Sequence, residues 1–129
     1  MKYYAHKRET AGGQIVWQTV WTHLLGAARR AAECLRPVGL ENAAYLAALL
    51  HDIGKFTAAF QQYLAAGDRS ARGRVIHSFQ GCRYLLEQFH HETDSVRSIM
   101  ASELLAFAVG AHHGLFDCVD SARRGGLKY

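Results

Sequence analysis

Eight histidines in 129 residues hold most of the chemistry this sequence offers, because imidazole is the commonest ligand for borderline divalent metals. Six positions stand out by type and spacing: His23, the pair His51-Asp52, His77, and the pair His112-His113. The gaps from His23 to His51, His51 to His77 and His77 to His112 are 28, 26 and 35 residues. Each matches a helix pair, or a helix with its loops, so successive helices can each bring a ligand to a shared centre. His51-Asp52 falls where an apolar helical stripe runs out. Adjacent helical residues diverge by about 100°, but at a fraying helix end both can turn onto one ion. A carboxylate can also bridge two ions, which an imidazole nitrogen cannot. A single histidine such as His23 is more often a hydrogen-bonded core residue, and His-His pairs arise by chance; His90-His91 is assigned no role. The ordered set carries the weight. Mixed imidazole and carboxylate ligands suit manganese, iron, nickel, cobalt or zinc rather than a magnesium-only site. Lys55 reads either as a helix-end lysine favoured by the dipole or as a point charge for a phosphate oxygen.

The elements that must position these residues are helical nearly throughout. Val16, Val20, Leu24, Ala27, Ala31 and Leu35 recur about once per turn, and Pro37 stops that helix. Leu40, Ala43, Ala44, Ala47 and Leu50 form a second stripe ended by Gly54, and Phe56, Ala59, Phe60, Tyr63 and Leu64 a third. The polar segment from Gly67 to Arg74 reads as a loop. Ser78 is the expected N-cap of a helix with Phe79, Cys82, Leu85, Leu86 and Phe89 on its apolar face. Asp94 or Ser95 caps the next, which carries Val96, Ile99, Met100, Leu104, Phe107 and Ala108 and stops near Gly110. Strand alternation is absent except for a short piece around Gln14 to Gln18. The expected fold is an all-α bundle spanning residues 1–129 as one domain.

Composition narrows the class. Half the residues are hydrophobic and 20% are charged, a globular balance, and a chain of this length can bury roughly 65–70% of its unfolded surface. The longest apolar run, Ala43 to Leu50, is too short to span a membrane, and the N-terminus becomes charged too early for a signal peptide. Three widely spaced cysteines, Cys34, Cys82 and Cys118, read as reduced thiols of a cytosolic protein, two packing in the core and one near the site. The formal charge is +4. Arg69, Arg72 and Arg74 form one basic cluster and Arg123, Arg124 and Lys128 another; both read either as solvated loops or as phosphate contacts.

Leu49-Leu50-His51-Asp52-Ile53-Gly54-Lys55 followed by Phe60-Gln61 resembles the HD phosphohydrolase superfamily. The similarity is greatest to the HD nuclease domain of the type I CRISPR-associated helicase–nuclease. Tyr4-Ala5-His6, the His77-Ser78 that opens a helix after a basic loop, and Ala111-His112-His113-Gly114-Leu115 with Asp117 match that family, with some likeness to subtype I-C. The resemblance implies a helical HD domain with two divalent ions. His23, His51 and Asp52 would serve one ion; Asp52 would bridge to a second held by His77, His112 and His113. Asp52 and Lys55 would be the catalytic residues, and Arg69, Arg72 and Arg74 the contacts to nucleic acid. Two cations about 3.5–4 Å apart suit in-line phosphodiester displacement. The implied substrate is single-stranded DNA, in antiviral defence. It would be delivered by a helicase domain, in the same or a partner chain, after a guide-RNA surveillance complex opens the target.

The family's pattern ends with an aspartate on a later helix, and this chain stops 16 residues after His113. Asp117 and Asp120 lie too close to His113 to match it. The chain is therefore expected to be an N-terminal portion of the domain, with an incomplete first metal site and an apolar surface left uncovered. Two other functions stay open: an HD phosphohydrolase of nucleotides or second messengers, and a non-catalytic HD module that binds metal.

Overall fold

The computed structural model describes residues 2–67, 75, 77–91, 93, 95–114, 119, 120, 126 and 127. A hairpin of β1 (Tyr4–Glu9) and β2 (Ile15–Thr19) comes first, then α1 (Val20–Leu35), a 3-10 turn (Arg36–Val38) and α2 (Glu41–Leu50). A second 3-10 turn (Ile53–Phe56) leads to α3 (Ala58–Ala66), α4 (Phe79–Phe89) and α5 (Val96–Gly110). Two-residue strands β3 (Val119–Asp120) and β4 (Gly126–Leu127) pair near the end of the described chain. The body is a helical bundle, as expected. No helix among the described residues is long and apolar enough to cross a membrane.

The short strand expected around Gln14 to Gln18 is β2; its antiparallel partner β1 is the main departure. Val16, expected on the first helical stripe, lies in β2 and is exposed. The helix begins at Val20 because Thr19, in extended conformation, caps it by accepting from the Thr22 amide at 3.1 Å. Thr57 caps α3 in the same way through the Phe60 amide at 3.3 Å, and Ser95 caps α5 through the Ser98 amide at 3.2 Å. Such caps each contribute about 0.5–2 kcal/mol. Ser78 does precede α4, but its side chain makes no capping bond.

Two apolar clusters among the described residues hold the bundle. Leu50, Cys82, Leu85, Ala106 and Val109 join α2, α4 and α5. Ala5, Val20 and Leu24 join β1 to α1. Burying Leu24 or Leu85 contributes about 1.5–3 kcal/mol each. Ile53 packs against both clusters, so the turn just after His51-Asp52 is pinned from two sides.

The face that α5 buries is not its most apolar one. Val96, Met100 and Leu104 are 72%, 56% and 68% exposed, whereas Ser102, Ala106, Val109 and Gly110 are buried. Small residues win because α4 and α5 approach closely, close enough for Cys82 Sγ–H to donate to the Ala106 carbonyl at 2.9 Å. Cys82 is thus the core thiol. Cys34 is exposed, as is every residue from Glu33 to Leu40, so it is not one of the expected core thiols. Cys118 falls outside the described residues.

Gly54 sits where the 3-10 turn meets the start of α4. A Cβ there would collide with the carbonyl oxygen and Cα of His77 and with the Gln80 side chain. Gly81 meets the Leu50 carbonyl and Val109 in the same way. Gly54→Ala should therefore push His77 away from Asp52 and destabilise the fold by about 1–3 kcal/mol, as overpacking does. Denaturant unfolding checks this; a destabilisation under a few tenths of a kcal/mol would mean that the turn gives way easily.

Candidate metal centre

The six side chains selected by spacing sit at or near the ends of helices. His51 still has helical backbone angles (φ −54°, ψ −36°), while Asp52 turns off the helix (φ −121°, ψ 19°), so the two adjacent side chains face one point. His23 lies in the first turns of α1, His77 just before α4, and His112 and His113 just after α5. The six residues selected by spacing come together around the Asp52 carboxylate, which is only 3% exposed.

The two carboxylate oxygens face different partners. Oδ2 lies 2.9 Å from His23 Nε2, 3.1 Å from His51 Nε2 and 2.8 Å from Lys55 Nζ. The His23 and His51 Nε2 atoms are themselves 3.1 Å apart. Oδ1 lies 3.3 Å from both His77 Nε2 and His112 Nε2, and His113 Nε2 is 2.9 Å from His77 Nε2. One carboxylate thus separates two groups of ring nitrogens.

Backbone carbonyls orient those rings. His51 Nδ1 donates to Ala48 O at 2.7 Å, His112 Nδ1 to Val109 O at 2.6 Å, and His77 Nδ1 to Val75 O at 3.2 Å. A neutral ring that donates from Nδ1 carries a lone pair on Nε2. All three Nε2 atoms therefore point lone pairs at a carboxylate, the arrangement of metal-ligating histidines held by an outer hydrogen bond. Asp52 Oδ1 and His112 Nε2 are both buried with no hydrogen-bond partner, since two acceptors cannot bond each other. A cation between them would satisfy both, so the donor set fits a divalent metal.

Without a metal, protons can answer the same demand for positive charge. Burial alone would raise the Asp52 pKa, but His112, His23, His51 and His77, whose Nε2 atoms donate to the carboxylate when a ring carries the second proton, outweigh it and hold the carboxyl well below the usual range. Burial likewise opposes charge on His51, yet its bonds to Asp52 and the Ala48 carbonyl raise its pKa. Burial, aided by the neighbouring His112 and His77, lowers that of His113.

His6 is the residue that spacing missed. It sits on β1, and its Nε2 lies 3.4 Å from Lys55 Nζ. Gln61 ties β1 to the site: its Nε2 donates to the Tyr4 and Lys55 carbonyls at 2.9 and 2.6 Å, and its Oε1 accepts from the Tyr4 amide at 3.0 Å. The ligand atoms of Asp52, His77, His112 and His113 lie within 4.8 Å of one another, as do those of His6, His23 and Asp52. Either group can hold a metal ion. His90 instead pairs with Glu103 at 3.1 Å. Arg69, Arg72, Arg74 and Asp117 lie outside the described residues, as does the Asp120 side chain.

A helical bundle that converges histidines on a His-Asp pair with a buried carboxylate defines an HD-type metal-dependent hydrolase domain. The family model for the HD domain of Cas3 matches residues 4–127, so the chain belongs to that family. Among curated proteins, none matches it.

Burial, with the Lys55 charge next, lowers the His6 pKa from 6.5 to about 4. Between those values the unfolded chain binds a proton that the folded one does not, so this group's stability is lost as pH falls from about 6.5 to about 4. The raised pKa of His51 acts in the opposite sense: its stabilisation is full below 6.5 and is lost at higher pH. In chelator-treated protein, His6→Gln should flatten the acid-side slope of unfolding free energy against pH by a fraction of one proton. Parallel slopes for the two proteins would show that His6 meets no such environment.

Proposed function

We propose that this chain is a nuclease domain of type I CRISPR interference that hydrolyses phosphodiester bonds of single-stranded DNA at a dinuclear divalent-metal centre. The observation that carries the reading is the division of imidazoles between the two Asp52 oxygens in a chain of the Cas3 HD-domain family. In this reading His23, His51 and Asp52 hold one ion, and Asp52, His77, His112 and His113 the other. The candidates are manganese, iron, nickel, cobalt and zinc. Bound there, two such ions lower the pKa of water and stabilise both oxygens of an in-line displacement.

The chain's own residues do the rest. Asp52 supplies the one negative charge shared by both positions, the ring lone pairs fix where cations can sit, and Lys55 is the ammonium available to a non-bridging phosphate oxygen. The Arg69, Arg72, Arg74 segment, which directly precedes His77 in the sequence, is the proposed contact to nucleic-acid phosphates. A helicase domain and a guide-RNA surveillance complex are the partners proposed to supply the strand, inside the cytoplasm.

The test is cleavage of a labelled single-stranded oligonucleotide beside a panel of mononucleotides and cyclic dinucleotides, with Mn²⁺, Ni²⁺ or Co²⁺ added. Oligonucleotide cleavage should require the metal and fall at least a hundredfold in Asp52→Ala. That variant should also lose more metal by elemental analysis than any single histidine variant. Preference for a cyclic dinucleotide would make this a second-messenger phosphohydrolase; metal retention without turnover on any substrate would leave a metal-binding module. Neutralising Arg69, Arg72 and Arg74 should weaken oligonucleotide binding and make its salt slope shallower by about 0.7 for each phosphate that the loop neutralises. An unchanged salt slope would mean that the loop touches no phosphate.

A further inference from the structure

The proposed function gives the Oδ2 side of Asp52 two histidines and leaves His6 without a role. Lys55 makes His6 informative. An ammonium only donates hydrogen bonds, so at 3.4 Å His6 Nε2 is its acceptor, and at 2.8 Å so is Asp52 Oδ2. Two lone-pair atoms thus grip one buried cation, whose side chain is 5% exposed. The Phe60 ring lies 5.5 Å from the ammonium and offers it an aromatic face. His23 Nε2 is 2.9 Å from the same carboxylate oxygen, and the ligand atoms of His6, His23 and Asp52 fall within 4.8 Å of one another.

We propose that His6, His23 and Asp52 form a cation cradle in which the Lys55 ammonium holds the place of the Oδ2-side metal ion, and that on metal uptake Lys55 leaves and His6 becomes a ligand. This rests on the dinuclear reading and deepens it. An ammonium and a divalent ion cannot share one carboxylate oxygen at contact distance without strong repulsion, so uptake is an exchange of cations. No bond other than coordination forms, and Lys55 keeps its proton. The exchange has two consequences. The Oδ2-side ion binds more weakly than the Oδ1-side ion, because it must displace a resident charge. The released Lys55 is then free to meet a phosphate, so substrate binding by this residue is tied to full metal loading.

Calorimetric titration of the full chain with Co²⁺, alongside its visible absorption spectrum, tests this without reference to cleavage. The wild-type isotherm should show a tight step and a weak one. Lys55→Met should strengthen the weak step at least tenfold; a wild-type chain that takes one ion beside a variant that takes two is the same result. His6→Ala should weaken that step at least tenfold and change the Co²⁺ band intensity, leaving the tight step alone. The His6 effect should persist in the Lys55→Met background. Lys55→Gln and His6→Asn replace either variant should it fail to fold. If removing Lys55 weakens the weak step or leaves it unchanged, the place-holder role is overturned. If the His6 effect is absent, or vanishes in the Lys55→Met background, ligation by His6 is overturned while the dinuclear reading stands. A wild-type chain that takes up no Co²⁺ overturns both.

Discussion

The carboxylate of Asp52 is charged, 3% exposed and set at the point where four helix ends meet a strand. An ion in that position would cost several kcal/mol if it were left uncompensated. Its surroundings are the compensation: Lys55 at 2.8 Å and four imidazoles within 3.3 Å. The arrangement is only half satisfied by protons, since His51, His77 and His112 spend their Nδ1 hydrogens on backbone carbonyls. What the bare Nε2 atoms and Oδ1 have in common is a demand for positive charge. That demand, more than any single pairing, gives the fold its function.

The scaffold is arranged to keep that carboxylate in place. Ile53, the next residue, packs against both apolar clusters, so the dyad cannot shift without disturbing both. Gly54 lets the His77 backbone pack against the turn that follows Asp52, and Gly81 lets α4 close on the end of α2 and on Val109. Gln61 uses three hydrogen bonds to fasten β1 to the 3-10 turn, which brings His6 to the far side of Lys55. An apolar groove of about 380 Å³, lined by alanines of α1 and α2 and by Ala108, runs behind His51 and His112.

Much of this was legible in the residues. The order His23, His51-Asp52, His77, His112-His113, one group per helix end, was enough to draw the six ligand candidates together, because helical periodicity marks where helices stop. The parts that were not legible share a physical cause. In β1 only Ala5 is buried, so the strand shows no alternation and His6 looks like any polar residue near a terminus. The signal for it lay in the Tyr4-Ala5-His6 and Phe60-Gln61 matches, whose chemical sense needs the Gln61 bonds. In α5 two stripes share helical spacing, one of large residues and one of small ones, and hydrophobicity favours the large stripe while close packing buries the small one. No pattern of hydropathy distinguishes these cases.

Electron paramagnetic resonance of the full chain loaded with two equivalents of Mn²⁺ tests the central claim most directly. If Asp52 joins two ions through one carboxylate, the spectrum should carry the multiline signature of exchange-coupled manganese, and Asp52→Ala should lose it while histidine variants on either side lose one ion. A spectrum showing only the six lines of isolated Mn²⁺ at full occupancy, unchanged in Asp52→Ala, would contradict a centre built on this carboxylate.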